Sequence, residues 1–265
     1  MAGLRKLLDK LKNKGRTAFI PYFTAGDPSM EWTDKFLKTL ASAGADVVEL
    51  GVPFSDPIAD GPTNQRAAER SLRAGTTLAD IIDFIERFRR EGNKTPVVLF
   101  SYFNPILQMG LEAFARRARE AGANGVLAVD LPPEEAREYV RVMKAHKLDT
   151  IFLASPTTPP ERLRLVDKAS SGFVYYVSRM GVTGARASLS DTLREELARV
   201  RKVVKKPVAV GFGISTPEQA REVAARSDGV VVGSALVSFV EKHPPEQARE
   251  KMRELASQMV AAIRK

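Results

Sequence analysis

The sequence predicts an α/β protein folded as a single (β/α)8 barrel of the TIM type, with an extra N-terminal helix and a short extra helix after the eighth strand. Three observations lead there. Short β-branched runs alternate with amphipathic helical runs from one end of the chain to the other. Eight strand-then-helix units follow one another without a break in composition. The length of 265 residues suits one such barrel, which typically needs about 250. A doubly wound open sheet would need fewer strands or a second domain, and a nucleotide fingerprint after its first strand. The stretch PYFTAGDPS at 21–29 is no G-x-G-x-x-G. Residues 1–265 are therefore read as one domain.

The first segment, MAGLRKLLDKLKNKGR, alternates leucines with lysines and reads as a short amphipathic helix on the barrel floor. It lacks the uninterrupted apolar core and cleavage site of a secretory signal, and Asp9 with a poverty of serine argues against a mitochondrial presequence. The expected strands are Thr17 to Tyr22, Asp46 to Val52, Pro96 to Tyr102, Gly125 to Val129, Asp149 to Leu153, Gly172 to Val177, Pro207 to Gly211 and Gly229 to Val232. Helical patterns between and after them begin near Met30, Thr77, Leu111, Pro133, Pro159, Leu189, Thr216 and Ser234. The residues between the second strand and Thr77 read as a long loop.

Composition narrows the function classes. Hydrophobic residues make up 44% and charged residues 28%, the balance of a soluble globular protein. No apolar run approaches the roughly 20 residues that span a bilayer. The net charge of +9 raises nucleic-acid binding, but the basic residues sit in segments such as RARE, EEAREYVRVMK and LREELARVRKVVKK, interleaved with acids as on solvated helix faces. With no cysteine there is no thiolate chemistry and no disulfide, and a cytoplasmic home is the default.

Barrel enzymes place their active sites at the C-terminal ends of the strands, so those ends carry the functional reading. Glu49 stands inside the apolar run VVELGV, where an unpaired carboxylate is costly to bury. It is either a proton-transfer group or one half of a structural ion pair. Asp60 follows in the proline-rich loop PFSDPIADGP, where Asp56 and Asp60 could equally order turns. Tyr22, Phe100, Tyr102, Leu127, Val129, Leu153 and Tyr175 supply an apolar, aromatic wall or simply barrel core. The turns GFG (Gly211 to Gly213) and GS (Gly233, Ser234) fall after strands seven and eight, where barrels hold phosphate, with Ser234 opening the extra helix. Strand ends carry no lysine for a Schiff base, and His146 and His243, the only histidines, are too few for a zinc aldolase.

The combination PYFTAGDP, ELGVPFSDPIADGP, SYFNPI, SRMGVTGAR and GFGIS, in that order and spacing across nearly the whole chain, closely resembles the tryptophan synthase α-subunit family. The resemblance implies cleavage of indole-3-glycerol phosphate to indole and glyceraldehyde 3-phosphate without a cofactor in this chain. It also implies transfer of the indole to a β subunit that carries pyridoxal phosphate, in an α2β2 assembly. Carried over, the catalytic carboxylates fall on Glu49 and Asp60. The indole pocket falls on Tyr22, where the family more often has phenylalanine, with Phe100, Leu127, Val129 and Leu153. Tyr102, Tyr175 and Phe212 are aromatic surroundings. Gly184, Gly213, Gly233 and Ser234 match phosphate-binding positions. Thr183, in the stretch 178–189 expected to close over ligand, matches the threonine that meets Asp60.

On this reading Glu49 is raised in pKa by desolvation and shuttles protons, while Asp60, on a wetter loop, stays ionised and receives the indole N–H. The exposed tips Phe54, Pro57 and Ile58 are expected to face the β partner. Alternatives are another phosphate-binding barrel of the same pathway, such as phosphoribosylanthranilate isomerase or indole-glycerol-phosphate synthase, or a catalytically silent allosteric subunit.

Overall fold

Eight parallel strands close into a barrel in chain order, with β8 paired back onto β1, in a computed structural model that describes residues 3–178, 189–211 and 213–264. The strands are β1 (Ala18–Thr24), β2 (Val48–Gly51), β3 (Val97–Ser101), β4 (Gly125–Ala128), β5 (Asp149–Ala154), β6 (Val174–Val177), β7 (Val208–Gly211) and β8 (Gly229–Val232). Every residue of β1, β2, β4, β7 and β8 is buried, as expected of strands covered on one side by helices and on the other by the barrel's own interior. The expected fold class and all eight strand positions hold, with β1 running two residues further, to Thr24.

Twelve helices accompany the strands among the described residues: α1 (Leu4–Lys12), α2 (Met30–Ser42), α3 (Pro62–Arg73), α4 (Leu78–Arg90), α5 (Phe103–Met109), α6 (Leu111–Ala121), α7 (Arg137–Ala145), α8 (Pro160–Ala169), α9 (Leu189–Arg201), α10 (Pro217–Ala224), α11 (Ser234–Lys242) and α12 (Pro245–Ile263). Two start where a full capping box ties the side chain three residues on to the cap, Thr77 with Asp80 and Thr216 with Gln219. None is long and apolar enough to cross a membrane.

Period-two alternation divides the apolar residues between two cores. One lies between strands and helices and holds Phe36, Phe84, Phe88 and Phe114. The other fills the barrel lumen with Ile20, Val98, Leu127, Ile151 and Phe173, closed from below by Leu4, Leu8 and Leu11 of α1. The N-terminal helix is thus the floor plug its leucine spacing predicts, and its first amide, Leu4 N–H, donates to Asp149 Oδ2 at 2.7 Å.

The expected long loop after β2 is a correction. From Pro62 to Arg73 the chain is helical, with Gly61 as cap and proline in the first turn, where its missing N–H costs nothing. Its sequence, TNQRAAERSLR, buries only small side chains, Ala67, Ala68 and Ser71, so it carries a weak apolar stripe. Helix α3 is held by tertiary contacts instead. Arg70 donates two 2.8 Å hydrogen bonds to Asp27, which is 2% exposed, and Arg66 pairs with Glu241 of α11.

Candidate active site

Glu49 pairs in register with Tyr22 on one side and Val98 on the other, and its side chain is fully buried. Among the described residues neither carboxylate oxygen has a hydrogen-bond partner. With nothing to offset desolvation, burial pushes its carboxyl up from 4.5 to about 8. Among the described residues the ion-pair alternative therefore finds no second half. Glu49 borders a cavity of about 390 Å³ at the C-terminal end of the barrel, with Tyr22, Phe100, Val129, Leu153 and Tyr175 as its apolar and aromatic walls.

Asp60 stands at the rim of the same cavity, one residue before the Gly61 cap of α3. Tyr102, directly after β3, donates from its hydroxyl to Asp60 Oδ2 at 2.9 Å and accepts from the Ala59 amide at 2.9 Å. Gln65 clamps the loop by donating to the Asp60 carbonyl at 2.9 Å and to the Pro57 carbonyl at 3.3 Å. Burial raises the Asp60 carboxyl, and hydrogen bonds from Tyr102 and Asn64 oppose that rise. Asp60 is thus more sheltered than a wet loop, and it is the donors around it that favour its charge. Two carboxylates on one cavity are set apart by environment: Glu49 has no donor among the described residues and is raised by burial alone, whereas the burial that raises Asp60 is opposed by donors.

Tyr22 lies edge-on to Phe100 with ring centroids 5.1 Å apart, and its hydroxyl is 3.4 Å from Thr24 Oγ1. The extra hydroxyl is accommodated because the neighbouring strand carries Gly51. A Cβ there would lie 2.4 Å from the Tyr22 oxygen. After β8, beside Tyr22, Gly233 caps α11 and Ser234 begins it, both bordering the cavity, with no acidic residue in the first turn. The N-terminus of α3, from Gly61 to Thr63, also borders the cavity and is likewise free of acids. Helix starts present unpaired amides and a positive dipole end, the environment that holds an anion.

The other expected site residues fall differently. Leu127 lies fully buried in the lumen core, with Phe100, Val129, Leu153 and Tyr175 packed against that core, and does not line the cavity. Gly211 does not line it either; a Cβ there would lie 2.2 Å from the Tyr175 hydroxyl, so its smallness serves the tyrosine. Gly213 has φ +78°, a conformation that favours glycine, and stands off the cavity wall. Tyr102 does not line the cavity either and reaches it only through its hydrogen bond to Asp60. Thr183, Gly184 and Phe212 lie outside the described residues, as does most of the stretch 178–189. Sequence reasoning missed Asn64, Val177 and Val231, which all border the cavity. The valines look like any strand valine, but Asn64, a polar residue four positions after a catalytic candidate, carried a usable signal. Among the described residues no group of three His, Cys, Asp or Glu side chains is placed to hold a metal.

Comparison with known proteins agrees with this geometry. Residues 8–264 match the family model described as tryptophan synthase alpha chain. The chain is 51% identical over 255 residues to the tryptophan synthase alpha chain of Geobacter sulfurreducens, spanning 96% of this chain and 95% of that one. It is 47% identical over 265 residues to that of Marinobacter nauticus, spanning 99% and 98%. The crystal structure of tryptophan synthase subunit alpha from Legionella pneumophila superposes with a TM-score of 0.90 at 42% identity, covering 99% of this chain and 98% of that one. A chain of Mycobacterium tuberculosis tryptophan synthase gives 0.89 at 38% identity, with full coverage of both.

Proposed function

The chain belongs to the tryptophan synthase alpha chain family and so cleaves indole-3-glycerol phosphate, and from that premise we propose that Glu49 and Asp60 divide the chemistry between them. The observation that supports this division most directly is the unpaired, fully buried Glu49 carboxyl with its pKa near 8, beside a donor-supported Asp60.

Cleavage requires a proton at C3 of the indole, so that the breaking bond leaves a tetrahedral carbon. Protonated Glu49 donates it, and the ring nitrogen becomes positively charged. Asp60 accepts the indole N–H and stabilises that charge. The carbon-carbon bond then breaks, its electrons return to the ring, and the adjacent hydroxyl gives its proton to the Glu49 carboxylate as the aldehyde forms. Glu49 ends protonated, ready for the next turnover, and no cofactor is needed in this chain. The phosphate sits on the amides at the start of α11, at Gly233 and Ser234, with Gly184 and Gly213 as further family positions. Tyr22, Phe100, Val129 and Leu153 hold the ring.

As an alpha chain the protein works with a β subunit, and an α2β2 assembly in the cytoplasm, with pyridoxal phosphate on the β subunit, completes the proposal. The loop before α3 suits contact with that partner through Ile58, which is 78% exposed. Phe54 is not a free tip, because its ring stacks on Tyr102 at 5.0 Å and steadies the residue that holds Asp60.

Indole release from indole-3-glycerol phosphate, with and without a β subunit, tests the assignment. Glu49→Gln and Asp60→Asn should each bind substrate while kcat falls, for Glu49→Gln by about 10² to 10⁴. A Glu49→Gln variant with near-parental turnover would refute the proton-shuttle role.

A further inference from the structure

Among the described residues, the buried side-chain oxygens without a hydrogen-bond partner are the two of Glu49 and Oδ1 of Asn64. Both residues border the same cavity. A buried amide oxygen left unpaired costs about 1 to 3 kcal/mol, so an acceptor standing empty at a cavity wall points to a donor that arrives from outside the chain.

Asn64 lies in the first turn of α3, four residues beyond Asp60, and its side chain is hydrogen-bonded to the Asp60 carboxylate. An ionised carboxylate only accepts, so the amide contributes its Nδ2 hydrogens to that bond. This orientation leaves Oδ1 as the unpaired atom. The substrate offers few donors. On the reading of Asp60 and Glu49 above, which this inference rests on, the indole N–H goes to Asp60 and the hydroxyl next to the ring goes to Glu49. The middle hydroxyl of the glycerol chain remains.

We propose that Asn64 is a further substrate-binding residue, whose Nδ2 orients the Asp60 carboxylate and whose Oδ1 accepts a hydrogen bond from the middle hydroxyl of the glycerol phosphate chain. One side chain then couples recognition of the polar tail to the placement of the group that receives the ring nitrogen. It also gives the enzyme a reason to reject an analogue without that hydroxyl, since the buried oxygen would stay unpaired.

Two measurements test this with the full-length protein. The first uses the Glu49→Gln background, in which turnover is slowed enough for binding to be read before cleavage, and compares the Kd of indole-3-glycerol phosphate with that of its analogue lacking the middle hydroxyl. Replacing Asn64 by leucine should weaken the hydroxylated ligand roughly tenfold and leave the deoxy analogue nearly unchanged. Equal weakening of both ligands would mean a structural role only and overturn the proposal.

The second measures the acid limb of kcat/KM for Asn64→Leu, with Asn64→Ala as a smaller replacement should leucine not fit. Among the described residues the titratable groups facing Asp60 are Tyr22 of β1, Glu49 of β2, Tyr102 ahead of α5 and Tyr175 of β6, and the tyrosines stay neutral. Losing the Asn64 donor raises the Asp60 carboxyl further, so the acid limb should move to higher pH. An unmoved limb would overturn the orienting role. If Asp60→Asn itself kept full activity, the underlying reading of Asp60 would fail; if Asp60→Asn is impaired but Asn64→Leu is not, this inference alone fails.

Discussion

Replacing the catalytic glutamate by glutamine should stabilise the protein, and by an amount that depends on pH. The Glu49 carboxyl titrates near 4.5 in the unfolded chain and near 8 in the fold. Below pH 4.5 both states are protonated and folding carries no ionisation cost. As pH rises the unfolded chain ionises while the fold keeps its proton, so stability falls until the folded group also ionises above pH 8. Each tenfold difference in proton affinity is worth about 1.4 kcal/mol. The cost therefore grows from nothing at pH 4 to about 3 kcal/mol at pH 7 and about 5 kcal/mol at pH 9. Glutamine does not ionise, and it buries polar atoms much as a protonated glutamate does, so the difference between the two proteins isolates the ionisation. Urea unfolding of both at the three pH values should show matching stability at pH 4 and a Glu49→Gln advantage that widens as pH rises. A difference independent of pH, or a glutamine variant less stable at pH 7, would refute the reasoning. An ion-paired Glu49 would instead lose about 3 to 5 kcal/mol on such a change. The stable variant should also be the inactive one, the usual cost of holding a destabilised catalytic group.

Tyr102→Phe keeps the stack on Phe54 but removes the hydroxyl that joins the Ala59 amide to Asp60 Oδ2. It should lower kcat about tenfold or more, as loss of a charge-assisted hydrogen bond does, and move the acid limb of kcat/KM to higher pH because Asp60 loses a donor. Unchanged steady-state kinetics across pH would remove Tyr102 from the site. Gly233→Asp puts a Cβ 3.3 Å from Tyr22 Cδ1 and a carboxylate at the start of α11, so KM should rise at least tenfold and inhibition by glycerol phosphate should be lost. Inhibition equal to that of the parent would place the phosphate elsewhere.

Much of this site is legible in the amino-acid sequence. Glu49 stands out because a carboxylate in a β-branched run contradicts its own neighbours. Asp60 and the glycine turns stand out because a barrel assigns meaning to strand ends. Helix α3 is not legible, since its buried residues are alanine and serine and its anchors, Asp27 and Glu241, lie far away in sequence. Nor does periodicity separate Leu127 from Val129. Both point into the lumen, and the stagger between strands, a property of barrel closure, decides which lies below the cavity and which at its wall.

The barrel, its strands and the two carboxylates follow from local sequence, because β-branched runs, amphipathic repeats and an out-of-place glutamate are each contained in a few neighbouring residues. How each carboxylate behaves is a tertiary property. Glu49 is left without a donor by Tyr22 and Val98 on the flanking strands, and Asp60 is both sheltered and supported by Tyr102 after β3 and Asn64 from α3. Desolvation and hydrogen-bond supply are sums over groups brought together from remote parts of the chain, and no window of sequence contains them.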